Sequence, residues 1–178
     1  MRVPLELWGI GHSTRELGEF LALLRTHRIE AVADIRRYPA SRRLPHFGAE
    51  VLEAALTESG VTYVWMPALG GRRRPTPGAP ATAWRTDGFK GFAEYLRTAE
   101  FAEALDGLLN LAGGFRTVMM CAEALWWRCH RRLIADVLVS LGVPVSHITD
   151  RGAEPHRLVR PARMVDGMLT YAPESPAG

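Results

Sequence analysis

Residues 115–141 constrain the fold more than any other stretch of this chain, because they combine a strand, a turn and a helix in one short segment. The apolar run at 117–120 is long enough for a buried strand and too short for a helix. After a polar turn, an amphipathic pattern places its apolar positions on one face of a helix: Leu133, Ile134, Val137, Leu138 and Leu141. A strand that leads through a turn into a helix is a unit from which α/β proteins are built.

The same alternation continues along the rest of the chain. Strands are predicted at 5–10, 30–35, 61–66 and 144–149, and an edge strand near 168–171; helices are predicted at about 14–27, 48–59, 89–96 and 101–111. Ser13 and Glu16 have the spacing of a capping box for the first helix, and Val51, Leu52, Ala55 and Leu56 form the apolar face of the second. We therefore predict a single three-layer α/β domain over 1–178, Rossmann-like, with a mostly parallel sheet of four or five strands and helices on both faces.

Two segments depart from this alternation. Residues 68–87 form a long loop rich in arginine, proline and glycine, with a length typical of lids and binding loops. Residues 151–178 form a C-terminal extension.

The turn after 117–120 holds both cysteines of the chain, Cys121 and Cys129. Ligands of parallel sheets bind beyond the carboxyl ends of the strands, and a thiol there, near a helix N-terminus and arginines, can be stabilised as a thiolate. Cys121 is thus a candidate nucleophile or metal ligand, or else a small buried apolar residue. Cys129 is a candidate resolving thiol, second ligand or core residue. His130 is a candidate hydrogen-bond donor to an anion, or else a helix cap or a solvent-facing residue.

Polar residues also follow three other predicted strands: His12, then Asp34 and Arg36, then the loop that starts at Pro67. Because the carboxyl ends of parallel strands lie at one edge of a sheet, we expect these residues to converge on the cysteine turn. In such a site Glu123 or His12 would move protons. Asp34 would orient a partner or pair with an arginine.

Arginine supplies all but one of the 22 basic residues, and the exception is Lys90. A GC-rich genome explains that bias as well as function does, but two arginine clusters fall in loops at the proposed edge, at 36–43 and 72–74. Arginine favours bidentate recognition of phosphate and carboxylate, so we expect an anionic ligand, including nucleotides and nucleic acid. Trp84, Trp126 and Trp127 are candidates to stack on a base, although Trp126 and Trp127 are better explained by packing beneath the turn.

Composition excludes several other classes of protein. A net charge of +3 permits anion binding without requiring nucleic acid. Two cysteines do not build a disulfide framework, no N-terminal stretch resembles a signal peptide, and no apolar run is long enough to span a membrane. We expect a cytoplasmic protein with free thiols and no membrane contact; the cofactor and the oligomeric state are left open.

Four motifs carry a resemblance to a known family: G-I-G-H-S-T at 9–14, D-I-R-R-Y-P-A-S-R-R at 34–43, L-G-G-R-R at 69–73, and C-A-E with C-H-R-R-L-I-A within 121–135. In this order, over about 9–150, they resemble domain-of-unknown-function family 488. The resemblance implies a site that contains His12, Ser13, Asp34, Arg36, Cys121, Ala122, Glu123, Cys129, His130 and Arg131. A looser similarity to rhodanese-like domains implies loop amides that cradle an anion beside a cysteine thiolate.

The leading expectation is a cysteine-dependent transferase or hydrolase that acts on a phosphate- or sulfur-bearing anion. Its predicted catalytic residues are Cys121, Glu123, His12 and Asp34. Its predicted substrate contacts are Ser13, Arg36, Arg42, Arg43, Arg72, Arg128, Cys129, His130 and Arg131. One alternative is a non-catalytic nucleic-acid-binding module that uses the arginine loops and Trp84. The other is a Cys/His metal-binding protein, although the Cys-x7-Cys-His spacing is no standard zinc signature.

Overall fold

A six-stranded sheet forms the centre of the computed structural model, which describes residues 5–174. Its strands are β1 (Leu7–Gly11), β2 (Ala31–Asp34), β3 (Thr62–Trp65), β4 (Thr117–Cys121), β5 (Val145–Thr149) and β6 (Gly152–Pro155). Their order across the sheet is β3-β2-β4-β1-β5-β6. The first five are parallel and β6 pairs antiparallel with β5. The predicted mostly parallel sheet is confirmed, with one antiparallel strand more than expected.

Helices cover both faces of this sheet, as predicted. They are α1 (Leu17–Thr26), α2 (Ala49–Glu58), α3 (Asp87–Tyr95), α4 (Ala99–Gly114) and α5 (Arg131–Ser140). One core lies between the sheet and α1 and α2; the other lies between the sheet and α3, α4 and α5. Alternate residues of a strand serve opposite faces: Val118 and Met120 of β4 pack in the first core and Met119 packs in the second. This arrangement has the three layers of a Rossmann-like domain.

Three predictions about individual helix residues were wrong. Glu16, not Ser13, is the N-cap of α1, in a reciprocal capping box with Glu19. Ser13 lies in the turn before it, with a φ of 51°. Val51 is half exposed because α2 buries Leu52 and Leu56 instead. Leu141 is 61% exposed because the helix ends at Ser140 and the periodic pattern no longer applies beyond it.

The C-terminal extension folds back onto the domain. A small hairpin, β7 (Arg163–Val165) and β8 (Met168–Thr170), forms its own two-stranded sheet, so the predicted edge strand near 168–171 does not join the main sheet. Tyr171, which follows the hairpin, is buried in the second core. The 68–87 loop is tied down beside it, because the amide of Ala83 donates to the carbonyl of Tyr171 at 2.7 Å.

Among residues 5–174, no helix has both the length and the apolar character needed to cross a membrane. Residues 1–4, on which the expectation of no signal peptide partly depends, lie outside the described residues. The last four residues of the C-terminal extension lie outside them as well.

Candidate active site

A cavity of about 750 Å³ opens at the carboxyl edge of the sheet. Strand order explains its place, because β4 lies between β2 and β1 and brings the loops that follow all three strands side by side. The 68–87 loop and the start of α3 complete the wall. The lining includes His12, Arg36, Arg37, Tyr38, Gly71, Arg72, Phe89, Cys121, Ala122, Glu123, Trp127, Arg128, Cys129 and His130. The predicted convergence of strand ends on the cysteine turn is therefore confirmed.

The two cysteines lie together at this cavity. Cys121 is the last residue of β4 and is partly exposed, whereas Cys129, just before α5, is 4% exposed. The sulfur atoms of both and a ring nitrogen of His130 lie within 4.8 Å of one another. The Cys129 sulfur also accepts a hydrogen bond from the backbone amide of Arg131, at 3.4 Å.

Their environments give the two thiols opposite tendencies. Hydrogen bonding from the Cys129 thiol lowers the pKa of Cys121 well below its ordinary value, and His130 and Arg131 lower this pKa further. Burial raises the pKa of Cys129 well above its ordinary value, and the neighbouring Cys121 raises it too. Of the two thiols, Cys121 is therefore the one that ionises more readily.

Glycines allow the loops to pack directly on the cysteine turn. A Cβ at Gly11 would overlap the carbonyl oxygen of Glu123 and would lie 2.8 Å from Cα of Ala124. A Cβ at Gly71 would lie 2.8 Å from Nδ1 of His130. The glycines of the G-H-S and L-G-G motifs thus serve close approach of backbone to the site.

Arg131 holds the turn from behind. Its guanidinium donates to the carbonyl oxygens of Ile10 and Glu123, both at 3.1 Å, and to that of Ala124 at 3.4 Å. It is almost fully buried and is not among the cavity-lining residues. The substrate contact predicted for Arg131 is thus replaced by a structural one, because three carbonyl oxygens take up its N–H groups.

A buried charge pair supports the neighbouring wall. The Asp34 carboxylate accepts hydrogen bonds from Nε and Nη2 of Arg36, at 2.8 and 2.6 Å, and from the hydroxyl of Tyr63, at 2.7 Å. Asp34 is fully buried and does not line the cavity, so it acts on the site through Arg36. Sequence reasoning missed Tyr63, because a tyrosine within a strand gives no sign that its hydroxyl reaches a carboxylate.

His12 lies between this pair and the cysteines. Its Nδ1 lies 2.8 Å from the Ser13 carbonyl oxygen and donates to it, so Nε2 faces Arg36 Nη1, at 3.4 Å, as an acceptor. Its ring stacks on Phe47 with 4.2 Å between the ring centres. Burial lowers the pKa of His12, and the Arg36 cation adds to that effect. His12 is accordingly neutral, and its free nitrogen is engaged by Arg36.

The remaining predicted contacts divide into three groups. Arg72 and Arg128 are exposed, line the cavity and carry no ion pair among residues 5–174. Arg42 and Arg43 are exposed but do not line the cavity. Ser13 contributes through its backbone, since its amide donates to the Ala122 carbonyl oxygen at 3.0 Å.

Two of the three candidate tryptophans differ from the expectation. Trp84 is 7% exposed and packs against Phe89 and Tyr171, so it has no free face for a base. Trp127, predicted to pack beneath the turn, is 44% exposed and lines the cavity. Trp126 does pack as predicted, parallel to the ring of His147 at 4.5 Å.

Trp126 rests on a buried polar network that sequence reasoning did not find. His147 Nε2 lies 3.0 Å from His156 Nδ1, and His156 Nε2 lies 2.8 Å from an Asp136 carboxylate oxygen. The Tyr171 hydroxyl donates to the other oxygen of Asp136 at 2.8 Å. Burial lowers the pKa of His147 to about 2, with further contributions from Arg131 and His156. The network joins the C-terminal extension to α5 beneath the cysteine turn.

Comparison with curated proteins and with solved structures gives no match. A family model described as "Domain of unknown function DUF488" matches residues 16–138. The match includes α1 to α4, most of α5 and the cysteine turn, and it starts after the G-I-G-H-S-T motif that holds His12. Because it spans well over half of the chain, the protein belongs to the DUF488 family.

Proposed function

We propose that this protein is a cysteine-dependent transferase or hydrolase that acts on an anionic substrate, with Cys121 as the nucleophile. One observation supports this most strongly. The Cys121 sulfur lies in a cavity with exposed arginines and within hydrogen-bonding reach of a second thiol and a histidine. A nucleophilic thiol needs an environment that favours the thiolate, and these neighbours provide it.

In the proposed reaction, Arg72 and Arg128 pair with the anionic group of the substrate. The Cys121 thiolate attacks the electrophilic phosphorus or sulfur atom and forms a covalent bond to it. The leaving group departs with the electron pair of the broken bond and takes a proton from water. Water or a second acceptor then displaces the thiolate, and the Glu123 carboxylate, which lies on the cavity wall, accepts its proton and returns it to the solvent.

His12 fits a positioning role better than proton transfer. Its Nε2 is the only ring nitrogen not already bonded to Ser13, and it faces a guanidinium N–H. A neutral imidazole in that state has no proton to donate toward the substrate. We therefore assign proton transfer to Glu123.

The test is the Cys121→Ser variant assayed against phosphate esters, thiosulfate and nucleotides. We expect the activity found for the unaltered protein to fall by about 10³-fold or more. Cys129→Ser, which keeps a hydroxyl donor beside Cys121, is the matched control and should keep much of that activity. Equal activity of Cys121→Ser and the unaltered protein would contradict the proposal.

A metal site is the second candidate, because Cys121, Cys129 and His130 bring three ligand atoms within 4.8 Å. Nε2 of His130 is also buried without a hydrogen-bond partner among the described residues. Two cysteines and a histidine suit zinc, with the cavity supplying an open fourth position.

Elemental analysis of protein purified without a polyhistidine tag separates the two candidates. One equivalent of zinc that disappears in Cys121→Ser would favour the metal site. Metal-free protein with an alkylatable Cys121 would favour the nucleophile.

A further inference from the structure

Exposed aromatic rings form part of the cavity wall beside the cysteines. Tyr38, on the loop after β2, is 61% exposed, and Trp127, on the turn after β4, is 44% exposed. Both line the cavity, as does the partly buried Phe89 at the start of α3. Exposed aromatic surface is unfavourable in water, and its position inside a concave site suggests that a ligand covers it.

Guanidinium groups from three separate segments line the same cavity as these rings. Arg37 follows β2, Arg72 lies in the 68–87 loop, and Arg128 lies in the cysteine turn. All three are exposed, and none has an ion-pair partner in the described part of the chain. Glu123 is the single carboxylate in the lining, so the net charge of the wall is positive.

We propose that the cavity binds an unpaired nucleotide, with its base on the faces of Trp127 and Tyr38 and its phosphate against Arg37, Arg72 and Arg128. The location of the phosphate near Cys121 depends on the proposed function, whereas recognition of the base does not. A planar ring system and an attached anion are the two parts that this wall complements.

Simpler anions match the cavity less well. Phosphate or thiosulfate would use the arginines and leave the aromatic rings uncovered. A volume of about 750 Å³ lies within the range of sites for organic ligands. A base in a duplex has both faces stacked on its neighbours and presents no free face to Trp127, so the nucleotide must be unpaired.

The experiment is calorimetric titration of the Cys121→Ser protein, which binds without turnover. Its ligands are AMP, ribose 5-phosphate and inorganic phosphate. We expect AMP to bind at least about tenfold more tightly than ribose 5-phosphate, since stacking on one aromatic side chain contributes about that factor. Trp127→Ala and Tyr38→Ala in the same background should each reduce this ratio, and Trp127→Phe should retain part of it.

Phe115→Ala is the matched control. Phe115 is also an exposed aromatic residue, but it precedes β4 and so lies at the opposite edge of the sheet from the cavity. The Phe115→Ala substitution should leave the affinity ratio unchanged.

Titration with a trinucleotide of adenylate identifies the source of the ligand. Tighter binding than AMP indicates single-stranded nucleic acid, and weaker binding indicates a free nucleotide. Both results support a site for an unpaired base.

Equal affinity for AMP and ribose 5-phosphate would overturn the inference and leave the proposed function standing. A ratio that persists in Trp127→Ala and Tyr38→Ala would overturn the assignment of these rings. Loss of catalysis in Cys121→Ser is measured separately and does not enter the ratio. Absence of binding by all the ligands would overturn the anion site as well.

Discussion

At the scale of single residues, the two cysteines should differ in reactivity. In metal-free protein we expect iodoacetamide to modify Cys121 at pH values well below about 8.5, because hydrogen bonds from Cys129 and His130 and the positive charge of Arg131 stabilise its thiolate. Cys129 should react slowly, because burial raises its pKa and excludes the reagent. Alkylation as a function of pH, followed by mass spectrometry, measures both rates.

Cys129→Ala sharpens this test. It removes the thiol that donates to Cys121, so the alkylation profile of Cys121 should move to higher pH. A Cys121 that never reacts in the folded protein would instead be a structural thiol.

Asp34 should be a large contributor to stability. Asp34→Asn keeps the shape of the side chain but leaves the buried guanidinium of Arg36 without its counter-charge. Breaking a buried ion pair in this way costs about 3–5 kcal/mol, so we expect a marked fall in the free energy of unfolding in urea.

Asp150→Asn is the matched control for Asp34. It breaks a pair with Arg15 in which the aspartate side chain is 85% exposed, and the free energy of unfolding should change by no more than about 0.5 kcal/mol. Similar effects of the two substitutions would contradict the role assigned to Asp34.

The sequence predicted which residues meet at the site wherever the ends of the strands determine their positions. His12 and Arg36 follow parallel strands and Cys121 ends one, and this alone brings them to one edge of the sheet. The direction of a side chain was not predictable. The Arg131 side chain points inward because backbone carbonyl oxygens accept hydrogen bonds from its N–H groups, whereas the Trp127 side chain points outward. The spacing of residues along the sequence indicates neither direction.

At the scale of elements, Gly11 decides how the cysteine turn sits on β1. Gly11→Ala would force the turn away, since the new Cβ overlaps the Glu123 carbonyl oxygen. We expect lower stability, by about 1–3 kcal/mol, together with loss of ligand affinity at the cavity. Urea unfolding and calorimetric titration measure the two effects.

Gly107→Ala provides the comparison for Gly11. Gly107 lies within α4, where an added Cβ meets no atom within 4 Å. Alanine should stabilise the helix by about 0.5–1 kcal/mol and leave ligand affinity unchanged. Stabilisation by Gly11→Ala as well would show that the turn is not held against β1.

Hydrophobic periodicity predicted the elements that form the two cores. It failed in the C-terminal extension, where β6 has the residues Gly152–Pro155 and little strand propensity. Pairing with β5 forms this strand, and that information lies in tertiary structure. The same cause explains why the 168–171 segment pairs within its own hairpin.

At the scale of the whole molecule, His147 should make the protein sensitive to acid. The folded state lowers its pKa to about 2, against about 6.5 in an unfolded chain. Below pH 6.5 the unfolded state therefore binds a proton that the folded state does not, and stability falls as the pH falls, by about 1.4 kcal/mol per pH unit. Above pH 6.5 this loss is absent.

His147→Gln should flatten that dependence. We expect the difference in unfolding free energy between pH 6.5 and 5.5 to shrink by about 1 kcal/mol relative to the unaltered protein, because the unfolded histidine is already half protonated at pH 6.5. An unchanged slope in His147→Gln would mean that His147 takes up its proton as readily in the folded state.

The network beneath the cysteine turn also determines which fragments of this protein keep a complete fold. Residues 16–138 contain the cysteines, but β1, which lies at the middle of the sheet, precedes them, and β5, His156 and Tyr171 follow. A fragment with those boundaries would have a gap beside β4 and would leave the Asp136 carboxylate without its two partners. The boundaries of the segment that matches the family model are thus not the boundaries of a folding unit. Recombinant versions of the protein should retain both flanking segments.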